Sequence, residues 1–214
     1  IPADAPLEIA SFFGCAALTG LGAVFNVARV TPGSNVAVFG AGGVGLMALL
    51  GALAAGATHA IVVDPIPAKR QLALDLGATA AFDPAGGNVA AKIADAVGAP
   101  GVDFAIEAAG SAPAFEAAIA SIAPGGTAVA VGLSRKGANV AVPYGPLVVG
   151  EKTVRGSFMG SSVARRDIPR YIELWRAGRL PVERLVSGTV ALDGLNAAFD
   201  RLANGEAIRT LCTF

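Results

Sequence analysis

The amino-acid sequence predicts an α/β protein: a parallel β-sheet with helices on both faces, followed by a smaller α+β tail. Three observations lead there. Between Asn35 and about Pro143, short apolar runs alternate with helix-like runs, the rhythm of repeated β-α-β units. The runs NVAVFG and HAIVVD are continuously apolar, as strands buried on both faces require. Composition agrees, since 54% of the 214 residues are apolar and only 15% are charged, against about 25% charged in an average soluble domain.

Each element has its own reason. NVAVFG is an apolar run closed by Gly40, and Gly43–Gly56 reads as the helix that follows it. HAIVVD is a second strand, ending on Asp64. PAKRQLALDLGA reads as a helix carrying Leu72, Leu74 and Leu76 and closed by Gly77. A brief strand follows at Thr79–Phe82, then a helix near Val89–Val97, and VDFAIEAAG is the next strand. APAFEAAIASIAPGG reads as a helix stopped by Pro124-Gly125, before the strand GTAVAVGL. Past Pro143 the rhythm loosens. KTVRGSF, LVSGTVAL and AIRTLCTF read as strands. Asp167–Ala177 reads as a helix with Pro169 in its first turn, and Asp193–Ala203 as an amphipathic helix with Leu195, Phe199 and Leu202 on one face.

Charge and cysteine content exclude several classes. Sixteen acids balance sixteen bases, and a nucleic-acid binder shows a basic excess instead. Only Cys15 and Cys212 occur, far apart, which is no disulfide framework and fits a reducing, cytoplasmic setting. The opening residues IPADAPLEIA lack the basic and apolar regions of a signal peptide. Two stretches without Asp, Glu, Lys or Arg, Ile9–Ala28 and Val30–Val63, raise the question of membrane spans. Thr31-Pro32-Gly33-Ser34-Asn35 and six glycines from Gly40 to Gly56 interrupt the second, and neither has an aromatic belt or a flanking basic cluster. A buried strand beside a buried helix gives the same hydropathy, so no membrane partner is expected.

Gly40-Ala41-Gly42-Gly43-Val44-Gly45 fits the pattern G-x-G-x-x-G at the junction of a predicted strand and helix. Asp64 ends the next strand, 19 residues past Gly45. That is the context of a dinucleotide site of the Rossmann type. Gly40 permits a tight turn, Gly42 lets a pyrophosphate approach the backbone, and Gly45 permits close packing of helix and strand. The helix N-terminus offers free N–H groups to the phosphates. Asp64 is placed to accept hydrogen bonds from a ribose and to repel a 2′-phosphate, which favours NAD over NADP. The competing reading is a plain glycine turn with Asp64 as a strand-end cap. No Lys-Ser/Thr pair follows Gly45, so this is not a nucleotide-hydrolysing loop.

The segments GCAALTGLGAVFNVARVTPGSNVAVFGAGGVGL, VVDPIPAKRQLALDLGAT, GVDFAIEAAG and GEAIRTLCTF together resemble the medium-chain, zinc-dependent alcohol dehydrogenases, nearest the class III and aryl-alcohol branches. The resemblance implies that the chain is the C-terminal portion of such an enzyme, lacking most of an N-terminal catalytic lobe. It implies a division into residues 1–15 (catalytic-domain remnant), 16–158 (NAD-binding domain) and 159–214 (C-terminal part of the catalytic domain). It implies that Cys15 is a ligand of a catalytic zinc and that Thr19 lies beside the nicotinamide. It further implies that Lys69 reaches the adenosine ribose, Val131 and Leu133 hold the nicotinamide, and Arg209 contacts the pyrophosphate. By their residue types alone, Cys15 is a small buried hydrophobe, Lys69 a solvated helix residue, Val131 and Leu133 strand core, and Arg209 half of a surface ion pair. The activity implied for the whole protein is oxidation of a primary alcohol, or reduction of the aldehyde, with hydride transfer to NAD. The fragment alone is expected to be inactive, and a homodimer or tetramer is implied, with edges near Asn139–Val142 and Lys152–Arg155. A polyol or thiol-adduct dehydrogenase of the same superfamily, or a non-catalytic NAD-binding module, remain alternatives. His59 reads as a surface residue, Cys212 as inert core, and Arg135-Lys136 and Arg165-Arg166 as solvated loop pairs.

Overall fold

In a computed structural model, which describes residues Ile1–Phe214, eight strands carry the chain. They are β1 (Asn35–Phe39), β2 (His59–Val63), β3 (Ala80–Phe82), β4 (Val102–Glu107), β5 (Ile122–Ala130), β6 (Thr153–Gly156), β7 (Val186–Val190) and β8 (Arg209–Cys212). The first six form one parallel sheet in the order β3-β2-β1-β4-β5-β6. The chain winds outward from β1 to β3, then returns across the sheet to β4. The winding therefore reverses between β1 and β4, where Phe39 pairs with both Val63 and Glu107. Crevices at the carboxyl ends of strands open at such reversals.

The period of two along buried strands sorts residues between two cores. Val36, Val38, Ala60, Val62, Ile106 and Val129 face one side, against α2 (Ala16–Gly22), the π-helical turn Ala23–Ala28 and α3 (Gly43–Ala54). Ala37, Phe39, Ile61, Val63 and Ala105 face the other, against α5 (Val89–Val97) and α6 (Ala112–Ser121). The uncharged stretches that raised the question of membrane spans lie mostly in this first core, with Ala37, Phe39, Ile61 and Val63 in the second. No single helix is long and apolar enough to cross a membrane. The one helix pair with that composition, Leu7–Gly14 with Ala16–Ala28, is bent by 57°, and all seven residues of α2 are buried.

The remaining helices are α1 (Leu7–Ala10), α4 (Pro67–Asp75), α7 (Tyr144–Val149), α8 (Ala164–Arg176) and α9 (Leu195–Ala203). Several boundaries differ from the sequence reading. Helix α6 stops at Ser121, not at Pro124-Gly125, and β5 starts at Ile122. The Pro-Gly-Gly stretch lies inside β5 as an irregularity between the pairs Val102–Ile122 and Phe104–Thr127; a bulge accommodates residues a regular ladder excludes. Helix α8 starts three residues early, at Ala164, so Pro169 sits inside it instead of in its first turn. Arg165 and Arg166 thus belong to this helix, not to a loop. The apolar face predicted for the last helix exists but is uncovered: Phe199 is 58% and Leu202 48% exposed. Strands β7 and β8 form a separate two-stranded parallel sheet beside it.

Candidate dinucleotide site

The glycine-rich turn leaves β1 and enters α3 at the reversal point. Gly40 has φ +98°, a conformation that glycine adopts without strain. A side chain at Gly45 would run into the Gly40 carbonyl, so this glycine closes the turn on itself. A Cβ on Gly42 would meet nothing within 4 Å, and the space above it is open. The first intrahelical bond of α3 is Leu46 N–H to the Gly42 carbonyl, at 2.9 Å. The N–H groups of Gly43, Val44 and Gly45 precede it and belong to the first turn, where a helix offers donors to an anion.

Asp64 ends β2 and is 6% exposed. Its Oδ2 accepts the Ala41 N–H at 2.7 Å, and its Oδ1 accepts the Ile66 N–H at 2.8 Å. The predicted acid is therefore at the predicted turn, where it takes up the Ala41 amide just ahead of the helix N-terminus. Both carboxylate oxygens keep further acceptor capacity. Arg70 Nη1 donates to the Asp64 carbonyl at 2.7 Å and pairs with Asp83 at 3.1 Å, which fixes the start of α4 beside the turn. Lys69 lies half-buried one residue earlier. A crevice of about 480 Å³ opens here, lined by Gly40, Asp64, Asn88, Ala109, Pro113 and Ala117 among others, a size that suits a small-molecule ligand.

The opposite side of the turn belongs to α2. A Cβ on Gly20 would strike the Val44 carbonyl, and Ala16 Cβ lies 3.8 Å from the position of one on Gly43. Helix α2 thus crosses the start of α3 at backbone contact, which sets Ala16 and Gly20 against the glycine-rich turn. Thr19 is 8% exposed, with its hydroxyl 3.7 Å from the Met159 sulfur. Met159, Gly160 and Ser161 all have positive φ, and a Cβ on Gly160 would strike the Leu18 and Thr19 carbonyls. The turn is held by Asn26, whose amide donates to the Gly160 carbonyl (3.3 Å), Ser162 Oγ (3.2 Å) and Asp167 Oδ2 (3.4 Å). Asp167 is buried; it accepts the Val163 N–H at 2.8 Å and a two-pronged bond from Arg166 at 2.7 and 2.9 Å. The Arg166 guanidinium holds its carboxyl below the usual carboxylate range. Arg166 is therefore a partner, not the freely solvated residue its sequence suggested.

The other candidates are dispersed. Cys15 is exposed instead of a buried small hydrophobe. No group of three or more His, Cys, Asp or Glu side chains is gathered to hold a metal ion, so the chain by itself offers zinc one thiol and no complete site. Val131 is buried, whereas Leu133 is 84% exposed and cannot be strand core; both lie beyond the end of β5. Arg209 is half-buried at the start of β8, away from the turn in sequence, although Gly205 just before it packs on Ile66. His59 is half-buried and bonds through Nδ1 to Asn35 Oδ1 at 2.7 Å, a tie between β1 and β2 where a surface residue was expected. Cys212 is only partly buried. Sequence reasoning missed Glu107, buried at the end of β4; a lone acid closing the apolar run FAIE was the available signal.

A parallel, doubly wound sheet with a glycine-rich turn and an acid on the adjacent strand defines the class of α/β domains that bind dinucleotides at the reversal point. Residues 43–177 match the model of the zinc-binding dehydrogenases, and the chain belongs to that family. It is 40% identical over 212 residues to geraniol dehydrogenase of Castellaniella defragrans, covering 99% of this chain and 56% of that protein. It is 37% identical to alcohol dehydrogenase 1 of Pisum sativum, covering 97% and 55%. The chain spans about half the length of these curated relatives. Among solved structures, benzyl alcohol dehydrogenase from Acinetobacter calcoaceticus superposes with a TM-score of 0.95 at 32% identity, covering 99% of this chain and 58% of that one. A zinc-binding dehydrogenase from Sinorhizobium meliloti bound to NADP superposes with a TM-score of 0.82 at 31% identity, covering 94% and 58%.

Proposed function

We propose that this chain is the nicotinamide-cofactor-binding part of a zinc-dependent alcohol dehydrogenase, and that NAD is the preferred cofactor. The observation that carries it is the Asp64 carboxylate, bonded to the Ala41 amide of the turn and bordering the crevice. A ribose diol laid on that carboxylate finds acceptors, whereas a 2′-phosphate there meets a negative charge. The amides of Gly43, Val44 and Gly45 are the donors for the pyrophosphate, with Lys69 at the ribose edge and Arg209 from the tail completing the polar rim. Thr19, Val131 and Leu133 form the nicotinamide end. Bound NAD supplies a hydride acceptor; the chain binds it, orients it and excludes water from one ring face.

Cys15 is proposed as one ligand of the catalytic zinc, the remaining ligands coming from a catalytic lobe outside residues 1–214. Division near residues 15 and 158 accords with the compact sheet between them and the separate β7–β8 pair. The substrate is proposed to be a primary alcohol or its aldehyde, in the cytoplasm, where two unpaired cysteines are stable. A second copy is proposed to pair along β6, whose four residues are all exposed beside Tyr144, Val148 and Val149; light scattering on purified protein measures that.

Titration with NADH and NADPH, followed by nicotinamide fluorescence, tests the cofactor reading. NADH binding tighter than NADPH is the expected outcome; equal or reversed affinities would remove the case for NAD. In the full-length protein, Cys15→Ser lowers alcohol turnover by about 100-fold or more while NADH affinity stays within about twofold. The scale follows because even partners outside a metal's own ligands change activity by about 10–100-fold. Loss of NADH binding in that variant would mean that Cys15 serves the fold.

A further inference from the structure

Glu107 is a buried carboxylate that the proposed cofactor reading does not use. It is 2% exposed at the end of β4, paired with Phe39 across the reversal point. Its Oε1 accepts two backbone donors, Ala109 N–H at 2.8 Å and Ser111 N–H at 3.2 Å. Its own carbonyl accepts Val131 N–H at 2.9 Å and Gly132 N–H at 3.0 Å. One residue therefore fastens both the segment after β4 and the segment after β5. These segments lock together, because Gly132 and Gly110 are in backbone contact and a Cβ at Gly132 would lie 2.9 Å from Glu107 Oε2. The first segment also reaches the phosphate turn. A Cβ at Gly40 would lie 2.9 Å from the Ala109 nitrogen and 3.0 Å from Ala109 Cβ, and Ala108 N–H bonds to the Phe39 carbonyl at 2.8 Å.

A buried acid in an apolar strand is costly unless its oxygens are satisfied. Here the satisfaction comes from turning residues 109–111 back over the strand end. Alanine at 107 would leave the Ala109 and Ser111 amides without their partner inside the chain and free the segment that abuts Gly40. We propose that Glu107 is a positioning residue for the dinucleotide. On this account its carboxylate holds residues 109–111 against the 131–132 segment that its main-chain carbonyl fastens, and so sets the distance between the Gly40–Gly45 turn and the nicotinamide end at Val131. The role rests on the cofactor reading above, and it needs the reach and acceptor oxygen of the side chain more than its charge.

The test uses Glu107→Ala, Glu107→Gln and Glu107→Asp in the full chain. NADH affinity is read by fluorescence, protection of the Ala109 and Ser111 amides by hydrogen exchange, and folding by circular dichroism. Glutamine keeps the acceptor and reach, so E107Q is expected to stay within about threefold of wild type in affinity. E107A, and E107D with its shorter arm, are expected to release the two amides and lose about tenfold or more in affinity, the scale of a hydrogen bond to a charged group. If E107A does not fold, E107Q against E107D carries the same contrast. Folded E107A or E107D binding NADH as tightly as wild type would overturn the role, as would E107Q failing as badly as E107A. Wild-type protein that binds neither NADH nor NADPH would instead overturn the cofactor reading, and the exchange data would still report whether Glu107 holds the segment.

Discussion

The glycine-rich turn and the C-terminal α+β segment are built to different standards of completeness. At the turn, every carboxylate has a partner inside the chain: Asp64 holds Ala41 and Ile66, Glu107 holds Ala109 and Ser111, and Arg70 closes the outer side. In the tail, α9 shows Phe199 and Leu202 to solvent, Leu192 is 62% exposed, and β7 and β8 stand as a two-stranded sheet. A two-stranded sheet has little stability alone and depends on what packs against it. The contrast teaches that the glycine-rich turn is completed by contacts within this chain, whereas the tail leaves an apolar helix face uncovered. The lone exposed thiol of Cys15 belongs with the second kind of region, since one donor makes no metal site.

Mutations sharpen this contrast in order of expected effect. Gly45→Ala should be most damaging, because its Cβ overlaps the Gly40 carbonyl and backbone has to move. Overpacking of this kind costs about 1–3 kcal/mol, and a displaced turn is expected to weaken NADH binding by about 100-fold, as an ångström-scale misplacement does. Thermal unfolding and NADH titration measure both. Asp64→Ala comes next. It strands the Ala41 and Ile66 amides and removes the ribose acceptor, for about a tenfold or greater loss of NADH affinity and a rise in the NADPH-to-NADH affinity ratio. An unchanged ratio would mean that Asp64 caps the loop without reading the ribose.

Asp167 gives a pH test on the side of the site formed by α8. Its folded pKa is depressed, chiefly by the hydrogen bond from Arg166. Its contribution to stability is therefore fully present above the unfolded carboxylate value of about 3.9 and is lost as pH falls through the lower folded value. Asp167→Asn should remove that acid-dependent component and cost about 1 kcal/mol near neutral pH, the scale of a charged hydrogen bond less its replacement. Urea midpoints between pH 3 and 7 (about the span set by that pKa) would detect a wild-type slope that the variant lacks. The smallest effect is expected in the tail. Phe199→Ser in this chain should change stability by no more than about 0.5 kcal/mol, as substitutions at exposed positions do. A loss of 2 kcal/mol, well above that range, would show that the uncovered face already carries stability by itself.

Much of the fold was legible because burial on both faces writes a continuous apolar run. NVAVF and HAIVV needed no long-range information to be read as strands. The glycine pattern and Asp64 were legible for a related reason: a positive φ and a backbone approach admit few residues besides glycine. Boundaries were harder. Pro124-Gly125 reads locally as a stop, yet the bulge that takes it into β5 depends on pairing with β4, a partner distant in sequence. Pro169 reads as a helix start, yet α8 begins at Ala164, where Asp167 reaches back to the Val163 amide.

The sequence by itself determined the class of fold, the place of the glycine-rich turn and the acid beside it, because spacing along one strand-turn-helix unit is a local quantity. Only the tertiary structure decided that Asp64 clasps the Ala41 amide, that Glu107 fastens two segments at once, that Asn26 and Asp167 hold the Met159–Ser161 turn, and that Leu133 and Phe199 face outward. Those outcomes depend on which strand ends and helix faces meet across the sheet. Residues that are 23 or 141 positions apart become neighbours only when the chain closes on itself.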